Sequence, residues 1–129
     1  MKSKLLAGFG LAVGFLIVSG PLFAHHAQIL YDSKSQVTLE GTVTKLEWAN
    51  PHIVLYFDVK DESGNVTNWS TEFSSPGTVR RNYGWSQETF RPGDRITVTG
   101  NPRKDGGHGV WGQRGGDNGV PGIKKISAK

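Results

Sequence analysis

Val37-Thr38-Leu39-Glu40-Gly41-Thr42-Val43-Thr44-Lys45-Leu46-Glu47 decides the fold class. Val37, Leu39 and Val43 share one side of this stretch, while Thr38, Glu40, Thr42 and Thr44 share the other. That alternation has period two, the mark of a half-buried strand. Gly41 interrupts the apolar side, as glycine does where a strand must bend or bulge.

Working outward, the same period returns. His52 to Lys60 places Ile53, Leu55, Phe57 and Val59 on one face, and Asp61-Glu62-Ser63-Gly64-Asn65 reads as a turn. Val66 to Phe73 alternates Thr67, Trp69, Thr71 and Phe73 against Asn68, Ser70 and Glu72. Ser75-Pro76 can open a short helix through Tyr83, which Gly84 ends. Arg91-Pro92-Gly93-Asp94 turns the chain into Arg95 to Gly100, where Ile96 and Val98 alternate with Thr97 and Thr99. Another strand is expected near His108 to Gln113, and a short edge at Ile123 to Ile126. Three strands, a short helix and two strands give an all-β fold, a small five-stranded OB-like barrel. A sandwich of immunoglobulin type needs about seven strands. The predicted core is Val37, Leu39, Val43, Ile53, Leu55, Phe57, Trp69, Phe73, Ile96 and Val98.

A turn centred near Ser63 pairs the second and third strands so that Val54 faces Glu72 and His52 faces Ser74. His52 and Glu72 then become diagonal neighbours, about 7–8 Å apart at the backbone. The Trp48-to-Pro51 bend must keep the same parity, because a one-residue slip would push Glu40 and Thr42 into the core, so Trp48 joins them on the outer face.

Ahead of the barrel stands a different composition. Lys2 and Lys4 precede an uncharged run from Leu5 to Ser19, then Gly20-Pro21 and Leu22-Phe23-Ala24. This is the layout of a secretory signal peptide with cleavage after Ala24, so the expected location is the periplasm or the medium. An uncleaved anchor is the competing reading, since residues 5–24 are uncharged and about long enough to span a bilayer. The domain plan is therefore a signal peptide over 1–24, an arm over 25–36, and a barrel over 37–129 that turns glycine-rich from about residue 101. Nine of the 23 residues from Gly100 to Gly122 are glycine, which leaves the closing strand open.

The chain has 129 residues, 36% hydrophobic and 20% charged, which suits one folded domain. It has no cysteine, which excludes disulfides, thiolate metal sites and a cysteine nucleophile. Losing Lys2 and Lys4 lowers the net charge from +4 to +2, and Arg80-Arg81 and Lys124-Lys125 are isolated pairs. Nucleic acid is therefore not an expected partner.

The chain resembles an uncharacterised bacterial family of exported proteins, a domain of unknown function. The matching features are His25-His26 after the signal, Tyr31-Asp32, Thr-Leu-Glu-Gly-Thr-Val from Thr38, and Trp48-x-Asn50-Pro51-His52. Asn68-Trp69 with Glu72, Pro92-Gly93-Asp94 and Lys104-Asp105-Gly106 complete the pattern, over roughly residues 22 to 106. The resemblance implies export and an OB-like barrel. It implies no activity.

Four histidines, His25, His26, His52 and His108, carry the candidate chemistry. Cleavage after Ala24 would put a free α-amino group on the same residue as the His25 imidazole. Those two nitrogens with a second imidazole, such as His52, make a three-nitrogen site that favours Cu(II). His26 offers a local chelate through amine, amide and second-position imidazole. From His25 to Val37 the chain can reach roughly 40 Å, enough to cross a small barrel. The candidate metal residues are His25, His26 and His52, with Trp48, Asn50 and Glu72 as supporting or binding-face residues. The alternatives are a solvated histidine tail, a His52 that only bonds Glu72, and a His108 that is a loop residue. Trp48, Tyr56 and Trp85 either form an exposed aromatic surface or cover the barrel ends. Glu72 and His52, with Asp58, are conceivable as acid and base. No nucleophile with an adjacent base can be named, so no enzyme is expected. Two functions follow from this reading: a small exported copper-binding protein, or a metal-free OB-type envelope module that recognises a polymer or protein.

Overall fold

The computed structural model of the chain describes residues 28–112 and 122–126. His25, His26 and the signal segment lie outside the described residues. The chain divides into two units, Met1–Leu30 and Tyr31–Lys129. Gln28, Ile29 and Leu30 of the first are exposed. No helix among the described residues is long and apolar enough to cross a membrane.

Among the described residues, six strands and one helix build the second unit: β1 (Val37–Glu47), β2 (Ile53–Lys60), β3 (Val66–Phe73), α1 (Pro76–Tyr83), β4 (Arg95–Pro102), β5 (Gly109–Gly112) and β6 (Ile123–Lys125). Neighbours run β1-β2-β3-β5-β4, and β4 pairs back on β1, so five strands close a barrel. All contacts between neighbours are antiparallel except β3 with β5. The predicted OB-like barrel, with its helix between strands three and four, is the observed architecture.

The expected β2–β3 register is the observed one, with Val54 opposite Glu72 and Phe57 opposite Trp69. Ile53, Leu55 and Phe57 are fully buried, and Val43, Phe73, Ile96 and Val98 join them. Val37, Leu39 and Trp69 pack on that core from its margin, half-buried. Helix α1 starts where Ser75 Oγ accepts the Thr78 N–H and ends at Gly84, whose φ of 67° is left-handed. It sends Val79 into the core, beside Phe90 from the loop that follows. Both are core residues that period-two counting does not reach.

One expectation is corrected. β1 and β2 slip by one residue between Val43 and Lys45, so Val43 faces Phe57 while Leu46 faces Leu55. This bulge reverses the parity of the rest of β1. Leu46 and Trp48 therefore turn inward and pack on the core, and Lys45 and Glu47 take the outer face. Gly41 is not the bulge. A methyl there would stand 2.6 Å from the Asp58 carbonyl oxygen and 2.7 Å from the Phe57 ring, so glycine is what lets the two strands meet.

The closing strand has a simple register. Gly112 of β5 lies opposite Gly100, and Thr99 next to it on β4 bonds the carbonyl of Gly122 at 2.7 Å. Ile123 then faces Val98. β5 and β6 thus occupy consecutive rungs of one edge of β4, although residues 113–121 separate them in sequence. β5, at Gly109–Gly112 of the glycine-rich stretch, closes the barrel.

Candidate functional site

His52 enters β2 directly after Pro51, and Glu72 stands on β3 one rung away. His52 Nδ1 donates to Glu72 Oε1 at 2.6 Å, and the two side chains are 15% and 25% exposed. A carboxylate can only accept, so Nδ1 carries the hydrogen. In the neutral ring Nε2 then holds the lone pair, and it has no hydrogen-bond partner among the described residues.

The pair sits against a third strand. β5 runs parallel to β3 with Trp111 beside Glu72. The His52 ring meets the Trp111 ring edge to face, centroids 5.4 Å apart at 84°. This T-shaped contact fixes the plane of the imidazole.

The Trp111 ring also meets the Tyr31 ring, centroids 5.6 Å apart. Tyr31 is buried, and Glu72 and Arg103 both act on the ionisation of its hydroxyl. Burial pushes the Tyr31 hydroxyl above its ordinary pKa, and the Glu72 charge adds to this, while the Arg103 guanidinium opposes both. Arg103 also stacks over the Tyr31 ring, 5.9 Å from its centre. Asp105 grips Arg103 through Nε at 2.9 Å and Nη2 at 2.5 Å. That forked contact holds the Asp105 carboxyl far below the usual carboxylate range.

The arm before β1 is pinned to the barrel. Tyr31 bridges Arg103, the Asp32 N–H bonds the Pro102 carbonyl at 2.8 Å, and Asn101 Nδ2 bonds the Ser35 carbonyl at 2.6 Å. Tyr31 is thus a fixed wall of the site and the beginning of the barrel unit.

The structure therefore brings together His52 and Glu72, as the diagonal argument required. It does not bring Trp48, which the bulge turns toward the core. Asn50 is exposed in the turn before Pro51, and among the described residues no hydrogen bond ties it to the pair. His108 stacks on Trp69 at 5.0 Å and is exposed, away from the pair. Trp85 packs on Phe73, Tyr83 and Phe90, which makes it a cover for the barrel end. Among the described residues, no three of His, Cys, Asp and Glu gather closely enough to hold a metal ion.

Sequence reading missed Trp111, Tyr31 and Arg103 as members of this site. Tyr31 and Asp105 belong to motifs quoted above, but nothing in their spacing says that they meet. Trp111 had one usable signal: a tryptophan after Val110 must face outward once Val110 faces the core. The parallel β3–β5 pairing that sets it beside Glu72 leaves no mark in the sequence.

The chain belongs to a family of unknown function, DUF6152, whose model matches residues 14–112. The match ends at the last residue of β5. No curated protein matches the chain.

Proposed function

We propose that this member of the family is a small exported binding protein, not an enzyme, that holds Cu(II) with nitrogen ligands from His25, His26 and His52. One observation supports it above the others: Glu72 takes the Nδ1 hydrogen of His52, which leaves Nε2 of this 15%-exposed side chain with its lone pair. A carboxylate on the far nitrogen is the usual support of a metal-bound imidazole. The T-shaped contact with Trp111 restricts its rotation, so little side-chain freedom is left to lose on binding. The remaining nitrogens are those of His25 and His26, six and five residues before the pinned Tyr31 in sequence. Export is part of the reading, because only cleavage after Ala24 frees the His25 amine. A nitrogen-rich set suits Cu(II), the strongest binder in the divalent series.

Three proteins test this: one starting at His25, one with an extra N-terminal methionine, and His52→Ala. Calorimetry and electron paramagnetic resonance with Cu(II) read the affinity and the ligand set. Equal results for the first two exclude the amine as a ligand. A silent His52→Ala reduces the site to a local His25-His26 chelate. Intact mass of protein recovered from the periplasm checks the first residue; a mass that retains residues 1–24 converts the reading to an anchored one.

The second reading, a metal-free envelope module, rests on the outer face of β2 and β3. Tyr56, Asp58 and Asn68 lie there, with Asn68 Nδ2 bonded to Asp58 at 2.8 Å. OB barrels take polymers on that face.

A further inference from the structure

The bulge in β1 carries an inference that rests on the envelope-module reading and names what such a module takes. We infer that Thr44, Asp58 and Asn68, beside Tyr56, form a recognition site for an uncharged sugar chain. In the β1–β2 register Val43 faces Phe57 and Lys45 faces Tyr56, so Thr44 is the extra residue, without a partner across the ladder. Bulges re-aim side chains in this way. Here the Thr44 hydroxyl meets β3: Asn68 Nδ2 donates to Thr44 Oγ1 at 3.2 Å and to Asp58 Oδ1 at 2.8 Å. One side chain from each of three strands thus converges on a single amide.

What this trio leaves over sets the chemistry of the ligand. The Asp58 carboxylate only accepts, so the amide nitrogen is turned to it and the amide oxygen of Asn68 is left over. Among the described residues, Asp58 Oδ2, Asn68 Oδ1 and the Thr44 hydroxyl hydrogen have no hydrogen-bond partner. These are two acceptors and one donor, held in place at a surface where Thr44 and Asn68 are exposed. A sugar answers them with neighbouring hydroxyls, each of which both donates and accepts. A peptide backbone finds no edge to pair with, because Asp58 has Thr42 on one side and Asn68 on the other. A phosphate polymer needs a row of free cations, but Lys45 is bound to Glu47 at 2.5 Å and the Asp58 charge repels phosphate.

Tyr56 adds an apolar wall on the same face, two residues before Asp58 on β2. Its hydroxyl donates to Glu47 Oε2 at 3.4 Å, and Lys45 Nζ stands 5.6 Å from the ring centre. A ring held in this way packs against the C–H face of a sugar while the trio takes the hydroxyls.

The test titrates the full chain with two soluble probes, a cello-oligosaccharide and a chito-oligosaccharide, by calorimetry and by the resonance of the Asn68 side-chain amide. At least one probe should bind and shift that resonance, with an affinity that salt leaves unchanged, since no charge is paired. Thr44→Ala and Asp58→Ala should each weaken binding by roughly tenfold. Thr44→Ala removes only exposed atoms, so its melting temperature separates lost binding from lost folding. His52→Ala should bind the probe like wild type, which sets this site apart from the copper reading. Binding of neither probe overturns the inference, as does binding that both alanine variants leave unchanged or that falls steeply with salt. Calcium that shifts the Asn68 amide at stoichiometric amounts overturns it too, by making the oxygens a cation site. A chain that binds neither sugar yet is retained on isolated cell envelopes refutes this inference and leaves the module reading standing; failure on both refutes that reading as well.

Discussion

Replacing Gly100 with alanine should open the seam where the barrel closes and disturb the candidate site with it. Gly100 stands on β4 opposite Gly112 of β5. A methyl on its α-carbon would lie 2.1 Å from the Trp111 carbonyl oxygen and 2.7 Å from Val110 Cγ1. The valine can rotate, but the carbonyl is backbone, so β4 and β5 must part. Overpacking of this kind costs about 1–3 kcal/mol. In a domain of about 100 residues each kcal/mol moves Tm by roughly 4–8 °C. The expected loss is therefore about 4–24 °C by that scale, and the upper half is favoured because strands and not rotamers must yield. Gly77 is the control, since in α1 a methyl meets nothing within 4 Å. Gly77→Ala should raise stability by up to about 1 kcal/mol. Far-ultraviolet circular dichroism follows unfolding, and the near-ultraviolet tryptophan signal reports on Trp111 against Tyr31 and His52. A Gly100→Ala protein that melts within about 2 °C of wild type, with an unaltered tryptophan signal, would refute the β4–β5 register and the placement of Trp111 that depends on it.

Leu55 is fully buried, so Leu55→Ala should cost about 2–5 kcal/mol by denaturant unfolding, whereas exposed Thr44→Ala should stay within about 0.5 kcal/mol; equal effects would sink the inward assignment. Because Gly112 and Gly122 occupy consecutive rungs of β4, a chain that joins them directly and omits residues 113–121 should fold with the same far-ultraviolet spectrum, and an unfolded product would count against the shared edge. Asp94 is held below the usual carboxylate range chiefly by its bond from Lys125, 2.8 Å away. A depressed carboxyl contributes stability that is present above its ordinary value, near 4, and is lost as pH falls below it. Acid titrations should therefore show a shallower loss of stability below about pH 4 for Lys125→Met than for wild type.

How much of this fold was legible depends on which force fixed each element. β1, β2, β3 and β4 are half-buried strands, where burial on one face imposes period two and the sequence must carry it. The Ser63-centred turn then sets the β2–β3 register, because a one-residue slip would turn Ile53, Leu55 and Phe57 to solvent. The bulge after Val43 was not legible. Thr44-Lys45 is as polar as any outer pair, and Leu46 and Trp48 take the inward side only because the closing barrel coils β1 more tightly than a flat strand. Val79, Phe90, Val110 and Ile123 were lost for a related reason: each enters the core from a helix, a loop or a strand too short to show a period.

The candidate site divides along the same line. His52 and Glu72 are two rungs of one antiparallel hairpin, so local register alone placed them side by side. Tyr31 and Trp111 come from opposite ends of the barrel sequence, and they meet only because closure sets β5 beside β3 and because the arm is tied to β4. Closure is a property of the whole sheet, with no local code. This also explains why the site stands where it does. Among the described residues, the β3–β5 contact is the one parallel pairing, and it covers only Ser70 to Glu72. The arm adds the Arg103 bridge and the Tyr31 ring against Trp111 to that short seam. A seam strengthened by polar groups places half-buried donors and acceptors together in one spot, as a binding site requires. Because the Trp111 ring meets both Tyr31 and His52, the same contacts can close the barrel and hold the His52 ring. If the copper reading proposed above holds, Trp111→Ala should lose stability and copper affinity together, while Leu55→Ala should lower stability and leave the affinity of the folded fraction unchanged.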